Sequence, residues 1–373
     1  MMLTTLDRMI LISFFRSYVI VSTSLLSLYV VLDLFTNIDT FGKSGNLVGI
    51  TKHIVGYYSA QIVLIFDRLA ESITLIAAMF TVAWMQRSNE LLPQLSAGIP
   101  TRRAVFPVLF GAAVTLALGP LNQELVIPVV ADRLVAPRDD LEGAKAVPLA
   151  GAYDPSGVHI EGMAGFRNQH KIVRFYATFP ETLPNGQSSP SGMVHLQAEE
   201  AIYHPADEGG EYSGGWELLN TTPATLDGQL PPNLKMIDPG HHFLKTTETD
   251  FDAVSRGSGW FLYAPSTKLQ ELLSRAEPRR QSKVAVLFHA RIARPLGGTL
   301  LVLLGLSVIL QNPNRHVFIS SGLCLGIALA YYICTLACKF LGDAGYLSPP
   351  LSAWVPLLIF GPLTLASLDA IHT

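Results

Sequence analysis

The chain has 373 residues, of which 49% are hydrophobic and 15% charged, whereas soluble domains carry roughly a quarter charged residues. This composition excludes an ordinary water-soluble enzyme and favours a membrane protein. The net charge of −3 argues against nucleic-acid binding, which needs a clear excess of Lys and Arg.

Charged residues are concentrated in the middle of the chain. Residues 129–288 hold 34 of the 55 Asp, Glu, Lys and Arg, so a polar domain separates two apolar blocks. Cys324, Cys334 and Cys338 all lie in the second apolar block. Their placement excludes a disulfide framework and a C-x-x-C zinc site.

Four uncharged runs are long enough to cross a bilayer. A hydrocarbon core about 30 Å thick needs roughly 20 apolar residues in a helix. The runs without Asp, Glu, Lys or Arg are Ala104–Gln123, Pro295–Asn314, Val317–Cys338 and Ala344–Leu368. Each of them is predicted to be a transmembrane helix.

Two further apolar segments are interrupted by charges. Met9–Leu32 contains only Arg16, near its start, where the guanidinium can reach the head groups. His53–Gln86 is broken by Asp67, Arg68 and Glu71. We expect an amphipathic approach at one membrane face followed by a span at about Leu69–Met85. The prediction is therefore six helices, three before the polar domain and three after it.

Lys and Arg in short loops indicate the orientation, because they are retained on the cytoplasmic side. With the amino terminus inside, the inner residues are Arg8, Arg16, Arg87, Arg102, Arg103 and Arg315. The outer short loops hold Lys43, Lys52, Arg68 and Lys339. This bias places the polar domain outside. One cluster before the fourth helix violates it: Arg275, Arg279, Arg280, Lys283, Arg291 and Arg294.

The polar domain is predicted to be all-β. Short alternating runs are bounded by Gly, Pro, Asn and Asp, most clearly at Gly157–Met163, Lys171–Phe179, Met193–His204 and Tyr212–Asn220. About ten strands would form a sandwich or jelly roll. Only Ser266–Arg280 is predicted to be helical, as a linker back to the membrane. The fold class is thus a polytopic α-helical membrane protein with an inserted, jelly-roll-like β domain.

Motifs of catalysis and phosphate binding are absent from the sequence. It contains no H-E-x-x-H, G-x-S-x-G or G-x-x-x-x-G-K-[ST], so we expect no catalytic residue, no metal site and no ATPase on this chain. His241 and His242 would point to opposite faces of a strand and make a poor metal pair. Ionisable residues in or beside apolar runs are functional candidates by default, or they merely mark helix ends: Asp33, Asp67, Arg68, Glu71 and Lys339.

Several local motifs occur in a fixed order along these helices. Leu6-Asp7-Arg8 precedes helix one, and Ser88-Asn89-Glu90-Leu91 with Ala97-Gly98-Ile99 lies between helices two and three. The later motifs are Leu121-Asn122-Gln123-Glu124 with Pro128, then His289, Arg291 and Pro295, then Leu341-Gly342, Gly345 to Leu347, Pro349 or Pro350, and Ala353-Trp354-Val355-Pro356. In the β domain they are Ala198, Ala201, Trp216, Leu218 and Asn220. Together they resemble the LptF/LptG (YjgP/YjgQ) permeases of the lipopolysaccharide export ABC transporter.

That resemblance implies a division into residues 1–128 with three helices, 129–288 as a periplasmic β-jellyroll, and 289–373 with three more helices. It also implies an inner-membrane heterodimer with a sister permease, driven by a separate LptB-type ATPase dimer that holds the ATP and Mg. The β domain would accept acyl chains along its apolar interior and dock its edge strand to LptC/LptA-type jellyroll proteins by strand addition. The cytoplasmic loop 86–103 would be the coupling helix, with site residues Arg87, Glu90, Leu91 and Gly98. Pro93 departs from the family pattern and is expected to kink this helix.

An anionic lipid needs cations at the outer head-group level. The basic cluster that violates the orientation rule lies there, together with Lys43 at the end of helix one. We expect part of this set to bind lipid phosphates: Lys43, Arg279, Arg280, Lys283, Arg291 and Arg294. The alternative is that they pair with acids such as Glu271 and Glu277.

Two other classes compete with lipopolysaccharide export. One is a different ABC permease, lipoprotein-releasing or FtsX-like, which typically places its large domain after the first helix. The other is a membrane-anchored protein whose outer domain binds a ligand, which would not need the inner loop Ser88–Ile99. The sequence leaves open whether the chain is F-like or G-like and which lipid A variant it moves.

Overall fold

The computed structural model describes residues 5–41, 47–135, 138, 145–149, 151–182, 188–206, 212–225, 231–247, 249–255, 260–274, 278–311 and 317–369. They form two compact units. The helix unit comprises Met1–Leu134 and Phe261–Thr373, and the sheet unit comprises Val135–Trp260.

The helix unit contains long helices joined by short connections. In chain order the helices before the sheet are α1 Thr5–Thr36, α2 Ile38–Phe41, α3 Leu47–Arg87, α4 Leu91–Ser96, α5 Thr101–Leu121 and α6 Ile127–Val135. A short helix of the sheet unit, α7 Phe251–Ser255, precedes α8 Ser266–Ser274, α9 Pro278–Gln311, α10 Val317–Asp343 and α11 Pro349–Asp369. A π-helical turn at Asn122–Val126 joins α5 to α6, where Pro128 has no N–H to offer the carbonyl of Glu124.

Five helical stretches of the described chain are long and apolar enough to cross a membrane. They are Thr5–Thr36, Thr101–Ala131, Ser282–Gln311, Gly322–Asp343 and Pro349–Asp369. They match five of the six predicted spans. The sixth, Leu69–Met85, lies within α3, which is not one of these five stretches; α3 continues through Asp67 and Glu71 as one unbroken helix.

The helix unit buries an apolar core between α1, α3, α5 and α9. Phe14, Ile73 and Val108 are fully buried in it. Gly111 of α5 makes room for the ring of Phe14, since a Cβ there would lie 2.6 Å from Phe14 Cδ1. Many large apolar side chains on the other faces stay exposed, as expected of helices surrounded by lipid.

In the described part of the sheet unit, seven antiparallel strands form one sheet in the order β1-β2-β3-β4-β5-β7-β6. The strands are β1 Ala152–Tyr153, β2 His159–Phe166, β3 Lys171–Thr182, β4 Ser188–His204, β5 Gly215–Thr222, β6 Leu234–Asp238 and β7 His241–Lys245. The four strongest strand predictions correspond to β2, β3, β4 and β5. The strands β1, β6 and β7 were not identified individually, because they are only two to five residues long.

The alternation of buried and exposed positions breaks at the same level in three neighbouring strands. Arg174 of β3 and Asn220 of β5 have φ of 52° and 54° and lie on either side of Glu199 of β4. In β3, for example, Ile172 and Phe175 are both buried although they are three residues apart, whereas strict alternation would bury every second residue. Both halves of the sheet share one core. The described strands thus form a single sheet, and the two-layered jelly roll stays a prediction.

The sheet unit ends earlier along the chain than the predicted polar domain, residues 129–288. Residues from Phe261 onward belong to the helix unit. Of the predicted linker helix Ser266–Arg280, the described residues are helical and belong to α8, Ser266–Ser274, and to the start of α9 at Pro278, while residues 275–277 lie outside the described part.

Candidate functional site

Arg294 of α9 is held by two buried carboxylates of α3. Its Nη1 lies 2.7 Å from Asp67 Oδ2, and its Nε lies 2.9 Å from Glu71 Oε1. Its Nη2 also donates to the carbonyl oxygen of Asp67. The side chains of Asp67 and Glu71 are 6% and 9% exposed. All three residues were candidates from the sequence, and the structure brings them together.

The surrounding helices complete this network. Asp67 and Glu71 are four residues apart and therefore share one face of α3. Tyr332 of α10 lies with its hydroxyl 3.4 Å from Glu71 Oε2 and 3.0 Å from Ser72 Oγ. Such pairs are stable in an apolar environment only when each charge has a partner. The network therefore joins α3, α9 and α10.

Arg291 occupies a second polar site one turn earlier on α9. Its guanidinium donates to the carbonyl oxygens of Ala264 and Leu262, at 2.7 and 3.0 Å. Glu124, in the π-helical turn, lies 3.6 Å from the same guanidinium and accepts hydrogen bonds from the backbone N–H and the hydroxyl of Ser266. This site ties the segment before α8 to the junction of α5 and α6.

The predicted lipid-binding set is divided by the structure. Arg291 and Arg294 bind acids of this chain, as the pairing alternative expected, although the acids are Glu124, Asp67 and Glu71. Of the acids expected from the sequence, Glu271 pairs with Lys268 at 2.9 Å and Glu277 lies outside the described residues. Lys283 is exposed, Arg279 and Arg280 begin α9 with side chains that the structure does not describe, and Lys43 lies outside the described residues.

The predicted coupling loop forms two tight turns around α4. Asn89, with φ of 55°, follows the end of α3, and Gly98, with φ of 79°, precedes α5. Glu90 accepts a hydrogen bond from the Ser88 hydroxyl at 2.9 Å. Leu91 is buried and Arg87 is exposed.

Pro93, which was expected to kink the coupling helix, lies inside α4 with helical residues on both sides of it. It stands in the first turn of this short helix, Leu91–Ser96. N–H groups in a first turn have no intrahelical acceptor, so the ring removes no hydrogen bond.

An ion pair missed by the sequence analysis lies beside this loop. Arg103 of α5 donates through both Nη atoms to the two carboxylate oxygens of Asp7 of α1, at 2.8 Å each. Asp7 is buried. The only sequence signal was the occurrence of Asp7 in the motif before helix one, since a pair 96 residues apart in sequence has no periodicity.

The described part of the sheet unit brings polar groups together on its surface but holds no group of three ligands suited to a metal. Glu217 lies between His204 and His241, whose Nε2 atoms are 2.8 and 2.9 Å from its two oxygens. Burial would raise the pKa of Glu217, but the hydrogen bonds and charges of the two histidines outweigh it and lower that pKa. His242, the next residue of the strand, points to the opposite face and is buried in the core, as the alternation of side chains along a strand predicts.

Comparison with protein families identifies the chain. The family model described as lipopolysaccharide export system permease LptF/LptG matches residues 8–143 and 196–369. These ranges include the five candidate spans almost completely. The chain belongs to the LptF/LptG family. A search of curated proteins finds no match.

The LptF/LptG match covers both polar networks of the helix unit. Asp67, Glu71 and Arg294 lie within it, as do Glu124 and the loop around α4. The chain is therefore a multi-pass membrane protein and a permease component of lipopolysaccharide export, not an enzyme. Residues 144–195, which include β1 to β3, are outside the match.

Proposed function

We propose that this chain is an inner-membrane permease subunit that extracts lipopolysaccharide from the outer leaflet and passes it to a periplasmic β-jellyroll bridge. The observation that carries the proposal is the LptF/LptG match, which covers both blocks of apolar helices. The six-helix arrangement, with a span at Leu69–Met85, belongs to this proposal, and so does the periplasmic location of the sheet unit.

The energy would come from an LptB-type ATPase dimer bound at the loop between α3 and α5. Two geometric features support this assignment. The positive φ values at Asn89 and Gly98 turn the chain sharply on both sides of α4, and Leu92 and Leu95 of this helix are 61% and 39% exposed. A short helix that presents apolar side chains and Glu90 is suited to enter a groove on a partner. ATP and Mg would be bound by that partner.

Lipid phosphates would be bound by part of the basic set at the outer head-group level. Arg291 and Arg294 already have carboxylate partners, so a phosphate would have to displace an acid from them. Lys283 is exposed and is the most accessible described member. Charge reversal of Arg291 and Arg294, with extraction measured in proteoliposomes, tests their contribution, and unchanged extraction would exclude it.

The sheet unit would accept acyl chains along its apolar face and extend to LptC/LptA-type proteins by strand addition. Two strands of the described sheet have a free edge, the two-residue β1 and the five-residue β6. The backbone groups of β6 offer the longer edge for pairing with another chain.

Co-purification tests the proposed function directly. We expect the tagged full chain, isolated in detergent from its native membrane, to bring along a sister permease and a cytoplasmic ATPase. Glu90→Ala should reduce ATPase recovery about tenfold, as loss of a charged interface anchor does. The matched control is Ser96→Ala, since Ser96 is exposed at the end of the same helix. If the chain purified without partners and extracted lipopolysaccharide without them, the proposal would be refuted.

A further inference from the structure

Two arginines of α9 bind different parts of the helix unit. Arg294 is bound by Asp67 and Glu71 of α3, at 2.7 and 2.9 Å. Arg291, on the same face one turn earlier, is bound by the carbonyls of Leu262 and Ala264 and lies 3.6 Å from Glu124. Because 291 and 294 are three residues apart on one helix, the two sites move together if α9 moves as a rigid body.

The first site is connected to the loop around α4 by an uninterrupted helix. α3 has 41 residues, a length of about 60 Å at 1.5 Å per residue. Glu71 lies on this helix about 24 Å before Arg87, where the loop begins. A displacement of the loop therefore reaches Arg294 through one continuous element.

The second site lies where the chain leaves for the sheet unit and returns from it. Glu124 is in the π-helical turn immediately before α6, the last helix before the sheet unit. Ser266, whose N–H and hydroxyl bind Glu124, begins α8, five residues after the helix unit resumes at Phe261. One carboxylate therefore holds both connections, and Arg291 fixes the returning one to α9.

We propose that α9 is the connector that transmits movement of the ATPase-binding loop to the two chain connections of the sheet unit, through Arg294 on one side and Arg291 on the other. This inference rests on the proposed function. Buried ion pairs suit such a role, because separating them leaves unpaired charges in an apolar environment and is costly. Movement of α9 together with the elements bound at these two sites therefore costs less free energy than sliding of α9 past them.

The test removes the charges without leaving any of them unpaired. Substituting Arg294 alone would strand two buried carboxylates, so the variant is the triple Asp67→Asn, Glu71→Gln, Arg294→Gln. A second variant, Glu124→Gln with Arg291→Gln, tests the other site. Arg68→Gln is the matched control, because Arg68 is an exposed cation in the same turn of α3.

Each variant is reconstituted with its partners in proteoliposomes, and lipid extracted and ATP hydrolysed are measured together. We expect ATP hydrolysis to persist in both variants while lipid extracted per ATP falls about tenfold, a typical size for a coupling free energy. The control should match the wild type.

Lipid yield per ATP that equals the wild type in either variant would overturn the connector role. Failure of the triple variant to assemble with its partners would assign the network to folding and would also overturn it. A wild-type complex that extracts no lipid would instead refute the proposed function.

Discussion

At the scale of single residues, the sheet unit contains a buried histidine. His242 of β7 is fully buried, and its Nδ1 lies 2.9 Å from the hydroxyl of Thr221. Its Nε2 has no hydrogen-bond partner among the described residues. Burial, and then the charge of His241, lower the pKa of His242 below 6.5, because an imidazolium in the core loses its hydration.

The sign of the resulting pH dependence follows from linkage. As pH falls below 6.5, the unfolded chain takes up a proton at His242 while the folded chain does not, so the free energy of unfolding of the sheet unit decreases. The slope is at most about 1.4 kcal/mol per pH unit for one proton. The pKa of Glu217 is also lowered in the folded protein. Protonation of this carboxylate at more acidic pH therefore lowers the free energy of unfolding further.

We predict that His242→Gln flattens the stability profile in the pH range just below 6.5. The pH dependence is measured by thermal unfolding of the full chain in detergent, with hydrogen exchange of the β7 amides as the readout of the sheet unit. His195→Gln, at an exposed position, should leave the profile unchanged. An equal slope in wild type and His242→Gln would contradict the assignment.

The candidate site shows how far single residues could be predicted. Asp67 and Glu71 were identified because carboxylates in an apolar run are costly, and Arg294 because its charge contradicted the orientation rule. Their pairing was not predictable, since Arg294 is 227 and 223 residues from its two partners. Local sequence spacing carries information about neighbours within a few turns only.

At the scale of elements, glycines decide where helices approach closely. A Cβ on Gly111 of α5 would lie 2.6 Å from the ring of Phe14 of α1, closer than carbon atoms pack. Gly322 and Gly326 of α10 have the small-x-x-x-small spacing, but a Cβ at either position would meet no atom of the described residues within 4 Å. These two glycines are therefore not points of close approach between the described helices.

We predict that Gly111→Leu destabilises the helix unit by about 1–3 kcal/mol, because the extra volume forces α1 away from α5. Gly326→Leu in the isolated chain should change stability by less than about 0.5 kcal/mol. The midpoint of thermal unfolding in detergent measures both. Equal midpoints for the two variants would contradict the packing argument.

Strands were predictable where they are long. Alternation identified β2 to β5, but it failed at Arg174 and Asn220, where positive φ values reverse which face is buried. Arg174 gives no signal of the change, since arginine rarely adopts this conformation, whereas asparagine, the residue at 220, adopts it more readily than most. The strand segments on both sides of the break pack into one core, which includes Phe175 and Trp216, whose rings lie 5.4 Å apart.

At the scale of the whole molecule, the prediction concerns the sides of the membrane. The orientation rule and the proposed function place the loop around α4 in the cytoplasm and the sheet unit in the periplasm. Single cysteines test this in a chain whose Cys324, Cys334 and Cys338 are replaced by alanine. The positions are Ser96→Cys in the loop and Met236→Cys on β6, both exposed.

We expect a membrane-impermeant maleimide to label Met236→Cys in spheroplasts and Ser96→Cys only in inverted vesicles. Labelling of both positions from one side would refute the orientation, because the one predicted span between them, Ala104–Gln123, requires opposite sides.

The sequence alone determined the class of this protein: apolar helices on either side of an antiparallel β region, and motifs that place it in the LptF/LptG family. These properties depend on composition, periodicity and local order along the chain. Only the tertiary structure decided that the basic residues before the fourth helix include two arginines bound by acids of distant helices. Burial makes an unpaired charge costly, and which charges are buried together depends on how the helices pack.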